Sequence, residues 1–406
     1  MRKINFGVNY IPSKSWYFQW AEDLDSIKDD FWAIRAIGLE HLRIQLRWDL
    51  FQPEPYKLNS VYMKRLEKVL DIAKDTGLEI EVSALTGWLS GFWFLPSFAQ
   101  KGNIICNGDI IKSELFFLKQ LSAFCCHPAF YGLDIGNEIN MYAYKDMPNS
   151  IFNMEEGNKW LRTIALGCNE YYQNKSVTIG CDHQPWLEDK FFSRRNLASF
   201  GTSTALHTWI EFTGATKYHR GAFSNQSLHL GEICSKIADA YSSDFDRNIN
   251  IQEFGISDLW LEKDQNIEDF ILTFIKNTLK CSQTNRITFW CSHDIDQKYN
   301  EFNELEYGLG LFNNKNELKP VGRAYKKAIS LYKNITKEHS ETTAILINDS
   351  YKKSDKDFGW YFGEKFCALK EKGKDSICFI TEDNINNFEY LRTRHITKLI
   401  YPEEVL

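Results

Sequence analysis

The first 335 residues repeat one pattern, in which a short apolar segment is followed by an amphipathic one. Eight apolar segments can be counted, from INFGVNYI (4–11) to RITFWCSHD (286–294). In the first amphipathic segment, Ile27, Phe31 and Ile34 have the spacing of one helix face. Eight strands alternating with helices predict a parallel (β/α)₈ TIM barrel of the α/β class. An open doubly wound sheet is the alternative, although no Gly-rich phosphate loop follows any strand.

The composition changes after Ile335, where the polar segment TKEHSETT predicts a linker. Beyond the linker, TTAILIND, WYFGEKFCALKEKG, SICFITED and ITKLIYPE predict a strand, a helix and two further strands. We therefore expect a barrel over residues 1–335 and a linker with a small C-terminal α/β appendage over residues 336–406. A unit this small buries little core of its own, so it should pack on the barrel or form a homo-oligomer contact.

Charge and cysteine content exclude several function classes. The net charge is −6, and the Lys and Arg residues are scattered, which argues against a nucleic-acid or anionic-lipid partner. No apolar run has the length of a signal peptide or a membrane span. The ten Cys residues show no metal-ligand spacing. These features predict a cytoplasmic protein with free thiols, without metal or cofactor, whose substrate is small enough to enter the cell.

Two predicted strands end in a glutamate. In LDIGNEIN (133–140) the apolar run of the fourth strand ends in Asn137 and Glu138, and INIQEFG carries Glu253 at the seventh strand. A lone Asn-Glu pair more often has a structural role, as a cap of the next segment or a partner in an ion pair. A second glutamate at a strand end favours a catalytic role instead. Both carboxylates should emerge at the catalytic mouth of the barrel. Hydrolysis of a sugar acetal needs one protonated and one ionised carboxyl group.

Several motifs, taken in order, resemble glycoside hydrolase clan A, the retaining (β/α)₈ glycosidases, and family 5 most closely. They are GVNYIP, LRIQLRW, GNE, HTW, QEFG and FWCSHD, and they span about residues 4–330. The resemblance implies that Glu138 is the acid/base and Glu253 the nucleophile. It also implies that Asn137 binds the sugar 2-hydroxyl, that Arg43 keeps the nucleophile ionised, and that Trp290 forms the floor under the innermost sugar.

The resemblance also places His207 at the site, at the end of the sixth strand. Trp88, Trp93 and Trp209 are expected on the catalytic side, where some of them would stack on sugar rings and others would pack in the core. Two departures concern the sugar specificity. The third strand ends without the usual His, and Trp209 stands where family 5 commonly has a Tyr that touches the nucleophile. Tyr218 is a candidate substitute for that Tyr.

The predicted function is a retaining β-glycoside hydrolase that acts on short oligosaccharides, either β-mannosides or β-glucosides. A β-galactosidase-like enzyme of clan A is an alternative, because the C-terminal segment resembles the start of a domain found in such enzymes. A non-catalytic sugar-binding barrel is a second alternative. A metal-dependent hydrolase or an aldolase is less favoured, because no strand end carries a His-x-His pair or a strand-borne Lys.

Overall fold

The structure, a computed structural model, describes residues 2–101, 103–143, 151–336, 342–348, 351 and 358–405. Eight parallel strands form one sheet, in the order β5-β4-β3-β2-β1-β8-β7-β6. The two end strands, β5 and β6, lie side by side, so the sheet is nearly closed. The strands are β1 Asn5–Asn9, β2 His41–Arg47, β3 Glu79–Thr86, β4 Phe130–Asp134, β5 Ser176–Thr178, β6 Ser203–His207, β7 Asn248–Phe254 and β8 Thr284–Phe289. The predicted TIM barrel is confirmed.

One principal helix follows each strand and covers the outside of the barrel. These helices are α1 Leu24–Ala36, α2 Ser60–Thr76, α3 Gly108–Leu121, α4 Met154–Tyr171, α5 Arg194–Ser199, α6 Leu230–Tyr241, α7 Ile267–Thr278 and α8 Pro320–Tyr332. Local sequence sets their ends. In α2 the side chain of Asn59 caps the first turn, and Gly77 ends the helix with φ of 72°.

The C-terminal segment forms a small parallel sheet with the strand order β10-β9-β11. Its elements are β9 Thr342–Ile347, α9 Phe358–Glu371, β10 Ile377–Thr381, α10 Phe388–Thr393 and β11 Ile396–Ile400. This predicted α/β appendage packs on α6, and every residue of α6 is buried. The central part of the predicted linker, residues 337–341, lies outside the described residues.

Two pairs of short antiparallel strands lie outside the two parallel sheets. Arg2–Lys3 pairs with Asn334–Ile335, which ties the start of the barrel to the segment after α8. Trp88–Leu89 pairs with Phe92–Trp93 in a hairpin that follows β3. Within the described ranges, no helix is both long and apolar enough to cross a lipid bilayer.

Candidate active site

A cleft of about 390 Å³ opens at the carboxyl ends of the barrel strands. In a barrel of this type, that face carries the chemistry. The cleft is lined by one residue of β7 and by residues from five of the segments that follow strands: Trp88, Leu89, Ser90, Gly91, Asn137, Glu138, Met141, Asp182, His183, Gln184, Glu188, Trp209, Phe212, Glu253, Trp290, Leu305, Glu306 and Leu309. The cleft therefore contains most of the predicted site residues.

The two predicted catalytic carboxylates face each other in this cleft. One oxygen of Glu138, one of Glu253 and a ring nitrogen of His207 all lie within 4.8 Å of one another. Glu253 comes from β7, whereas Glu138 lies just beyond β4 with φ of 44°. A left-handed backbone is unfavourable for a glutamate and recurs at functional sites.

Arg43 lies beneath the cleft and organises it without reaching the surface. Its side chain is fully buried. The guanidinium donates to Glu253 Oε1 at 2.6 Å, to Asp134 Oδ2 at 2.8 Å and to Asn137 Oδ1 at 2.9 Å. Burial lowers the pKa of Arg43, but Asp134 and Glu253 raise it by a larger amount. A fixed cation therefore lies directly beside the Glu253 carboxylate.

His207 lies between the two carboxylates at the end of β6. Its Nδ1 is 3.1 Å from Glu138 Oε1 and 3.4 Å from Glu253 Oε2, while its Nε2 is 3.1 Å from Gln252 Oε1. Burial lowers the pKa of His207, but Glu253 and Glu138 together shift it upward. For Glu138, burial raises the carboxyl pKa and repulsion by Glu253 adds to the rise, which exceeds the opposing effect of His207. Glu138 is thus suited to hold a proton.

Trp209 occupies the place where a tyrosine was expected. Its indole N–H donates to Glu253 Oε2 at 3.2 Å, so a residue at this position does touch the second carboxylate. Tyr218, the proposed substitute, is directed elsewhere, because its hydroxyl donates to Glu364 in α9 at 2.7 Å. The suggestion that Tyr218 takes this place is therefore wrong.

The other predicted tryptophans differ in their access to the cleft. Trp290 and Trp88 both line it, and Trp290 is nearly buried. Trp93 packs against Trp88, with ring centroids 4.8 Å apart, and is not among the residues that line the cleft. Asn137 donates to the backbone carbonyl of Trp88 at 3.1 Å. The hairpin after β3 is thus fixed to the end of β4.

Glu306 is a third carboxyl group at the cleft that the sequence analysis did not identify. It lies in the long segment between β8 and α8 and accepts a hydrogen bond from the Ser90 hydroxyl at 3.0 Å. Burial raises its pKa to about 7, and repulsion by Glu253 and Glu138 contributes. Two acidic residues flank Leu305 in this loop, and no pattern distinguishes the one that faces the cleft from its exposed neighbour Glu304.

The loop after β5 adds a second unpredicted group of charges on the side of Glu138. Asp182, His183 and Glu188 all line the cleft. Burial lowers the pKa of His183, but Asp182 and Glu188 raise it by more. Burial raises the pKa of Glu188, but His183 and Lys190 lower it by more, to about 2. This side of the cleft is polar and charged.

Four aromatic rings pack together in loops on the side of the barrel away from β5; we call them the aromatic wall and define it as Trp16, Phe18, Phe92 and Phe302. These rings come from the loops after β1, β3 and β8. The centroid of Trp16 lies 4.8 Å from that of Phe302, and Phe92 lies 4.8 Å from Phe302. The hydrogen bond between Ser90 and Glu306 joins the loops after β3 and β8. The wall and this hydrogen bond thus hold together two of the loops that line the cleft.

The distances among Glu138, His207 and Glu253 would also permit a metal ion. Their remaining contacts argue against that use, since Glu253 already accepts bonds from Arg43 and Trp209. A cation placed here would lie close to the charged guanidinium of Arg43, which is fixed in the core. The arrangement is better suited to proton transfer and nucleophilic attack by carboxyl groups.

Comparison with solved structures finds proteins of the same fold over their whole length. A GH5_18 protein of Streptomyces cattleya, solved in complex with Manβ1-4GlcNAc, is 27% identical, with a TM-score of 0.92 over 99% of this chain and 100% of that chain. A GH5_18 protein of Bifidobacterium longum subsp. infantis is 26% identical, with a TM-score of 0.91 over 100% of this chain and 98% of that chain.

An exo-β-1,4-mannosidase of Opitutaceae bacterium strain TAV5 is 18% identical, with a TM-score of 0.79 over 98% of this chain and 77% of that chain. At this identity the likeness concerns the fold. No protein-family model and no curated protein sequence matches the chain.

Proposed function

Because the chain belongs to glycoside hydrolase family 5 of clan A, we propose that it is a retaining, exo-acting β-mannosidase of short oligosaccharides. The observation that carries this proposal is the pair of carboxylate oxygens within 4.8 Å at the ends of β4 and β7. The choice of mannose rests on the GH5_18 protein that was solved with Manβ1-4GlcNAc. Glucosides and galactosides are the competing substrates.

The spacing of the two carboxyl groups favours retention of configuration. Inverting glycosidases need a gap of roughly 6.5 to 9.5 Å to admit a water molecule, whereas retaining enzymes have roughly 5 Å between the groups. The pair formed by Glu138 and Glu253 is close to the smaller value.

Glu253 and Glu138 have different surroundings and therefore different roles in the proposed mechanism. Arg43 and Trp209 donate hydrogen bonds to Glu253 and hold its carboxylate in place for attack on the anomeric carbon. Burial and Glu253 raise the pKa of Glu138, which donates a proton to the leaving oxygen as the glycosidic bond breaks. In the second step Glu138 takes a proton from water, and the resulting hydroxide displaces Glu253 from the sugar.

The aromatic wall favours action at the end of a chain. It packs the loops after β1, β3 and β8 against one another, and two of these loops line the cleft. We infer that they leave a sugar bound above Trp290 little room for a neighbour in that direction. The loop after β5, beside the proton donor Glu138, lies on the other side of the cleft and would face the leaving group. A single non-reducing sugar therefore fits between the wall and the two carboxylates.

The test compares aryl β-glycosides of mannose, glucose, galactose and xylose, followed by Manβ1-4GlcNAc. We expect the mannosides to be preferred and the first product to be the β-anomer, detected by proton NMR. Glu253→Gln should lose at least a thousandfold in kcat, and Glu138→Gln should affect Manβ1-4GlcNAc more than substrates with activated leaving groups. EDTA should leave the rates unchanged if no metal takes part.

Glu262→Gln is the matched control, because Glu262 is an exposed carboxylate in the loop after β7. It should retain the wild-type rate. Thermal unfolding of each variant separates loss of chemistry from loss of fold. Release of the α-anomer as first product, or a Glu253→Gln rate within tenfold of wild type, would overturn the proposed mechanism.

A further inference from the structure

We propose that Phe212, Leu259 and Trp260, which we call the aromatic edge, form a subsite for the second sugar of the leaving group. This inference rests on the proposed function and deepens it. It assigns the enzyme to oligosaccharides that carry at least two further sugars after the cleaved bond.

The aromatic edge is exposed although its residues are apolar. The side chains of Phe212 and Leu259 are 57% and 63% exposed, and Trp260 is partly exposed. Phe212 and Leu259 follow β6 and β7, respectively. Contiguous exposed apolar side chains on a single chain commonly mark a binding surface. Aromatic rings bind the apolar C–H faces of sugars while leaving the hydroxyl groups in water.

The edge is continuous with the catalytic centre through Trp209. The ring of Trp209 lies 6.0 Å from that of Phe212 and 6.3 Å from that of Trp260, in both cases edge to face. The same Trp209 donates its N–H to Glu253. Phe212 itself lines the cleft. A ligand that extends from the two carboxylates along the cleft can therefore reach Phe212.

The leaving group should extend toward the side of the cleft that carries the aromatic edge. The aromatic wall occupies the loops after β1, β3 and β8, whereas the aromatic edge occupies the loops after β6 and β7. Glu138, the proton donor, contacts His207 at the end of β6. The oxygen that receives the proton must lie within hydrogen-bond reach of Glu138. The rest of the leaving group then extends away from the wall.

The size of the edge favours a sugar over a protein partner. Three side chains expose at most a few hundred Å², since an aromatic side chain carries roughly 150 to 250 Å². A stable protein interface buries about 800 Å² on each partner. One sugar ring covers an area comparable to the edge, so the edge matches a ring and is too small for a subunit contact by itself.

The experiment compares kcat/KM for Manβ1-4GlcNAc and for Manβ1-4GlcNAcβ1-4GlcNAc in the wild type, in Phe212→Ala and in Phe212→Ala/Leu259→Ala. We expect the wild type to prefer the trisaccharide, and each variant to lower the ratio of trisaccharide to disaccharide activity by roughly three- to tenfold. Phe388→Ala is the control, because Phe388 is 86% exposed on the C-terminal unit. It should leave the ratio unchanged.

A second measurement uses Glu138→Gln as a binding-competent protein in calorimetric titrations with both oligosaccharides. The trisaccharide should bind more tightly, and Phe212→Ala should remove this advantage. Equal activity on both substrates in the wild type would overturn the subsite, as would an unchanged ratio in both variants. Dimerisation that depends on Phe212 would show instead that a second copy covers the edge. Failure to cleave either mannoside would refute the proposed function itself.

Discussion

Glu306 combines a position beside the two proposed catalytic carboxylates with a pKa of about 7. In the unfolded chain a glutamate titrates near 4.3. Between these two values the folded protein binds more protons than the unfolded chain. The protonated Glu306 therefore stabilises the folded chain fully below about pH 4, and this stabilisation is lost as the pH rises through 7.

Replacement of Glu306 by Gln should remove this pH dependence, because an amide does not ionise. We expect Glu306→Gln to unfold at a temperature a few degrees above wild type at pH 8 and at nearly the same temperature at pH 4.5. Differential scanning fluorimetry over this range measures the difference. Glu304→Gln, at an exposed neighbour, serves as the control. A difference that is equal at both pH values would contradict the assignment.

At the level of single residues, sequence alone indicated those that end a strand. Glu138, Glu253 and His207 follow apolar segments, and the barrel brings all strand ends to one face. Glu306 and Phe212 lie in loops without periodicity, where sequence does not fix the direction of a side chain. Tyr218 illustrates the same limit, because its partner Glu364 comes from the C-terminal unit. Residues in loops require coordinates.

Among the elements, the aromatic wall is the one that we propose limits the length of the substrate. Its members are separated by up to 286 positions in the chain, from Trp16 to Phe302. The βα repeat predicted the strands that carry these loops, but it contains no information on how the loops pack against one another. The contacts of Phe302 with Trp16, Phe18 and Phe92 are all tertiary.

Phe302→Ala should open the wall. A buried Phe replaced by Ala costs about 3 to 5 kcal/mol of unfolding free energy. With 4-nitrophenyl β-mannobioside, we expect the wild type to release mannose first, and the variant to release 4-nitrophenol directly as mannobiose enters the cleft. Product analysis by chromatography during the first turnovers distinguishes the two.

Phe274→Ala is the control for this comparison, since Phe274 is buried in α7 and stacks on Phe254 away from the wall. It should lose similar stability and retain the wild-type order of products. The absence of direct 4-nitrophenol release from Phe302→Ala would show that the wall does not limit the substrate.

For the molecule as a whole, the C-terminal unit supports the loop that carries the aromatic edge. The indole of Trp360 in α9 donates to the carbonyl of Thr213 at 2.7 Å, one residue after Phe212. Deeper in the same contact, Glu232 of α6 is fully buried and accepts from Lys236 at 2.5 Å. Lys370 of α9 lies 3.4 Å from the same carboxylate oxygen. The appendage and the barrel thus share a buried cluster of charges.

Glu232→Gln should destabilise the whole chain, because it leaves Lys236 and Lys370 without their anion. We expect a loss of about 3 to 5 kcal/mol in unfolding free energy, measured by urea denaturation at pH 7. Burial raises the pKa of Glu232, but Lys236 and its neighbours lower it to about 2. The stabilisation is therefore present above about pH 4.3 and is lost as the pH falls toward 2.

Glu268→Gln removes an exposed ion pair with Lys327 and is the matched control for this prediction. Its effect on the free energy of unfolding should stay below about 1 kcal/mol.

The existence of a C-terminal α/β unit could be predicted from its alternating apolar segments. Its attachment to α6 could not, because the anchoring charges Glu232 and Lys370 have no sequence pattern that relates them.

The buried cation Arg43 links activity to folding. Glu253, the proposed nucleophile, is also one of the two anions that balance Arg43 inside the barrel, together with Asp134. A descendant of this enzyme that abandoned hydrolysis by losing Glu253 would keep an incompletely neutralised guanidinium in its core. Conversion into a lectin-like barrel would therefore require a second substitution at Arg43, and a homologue that lacks one of these residues should also lack the other.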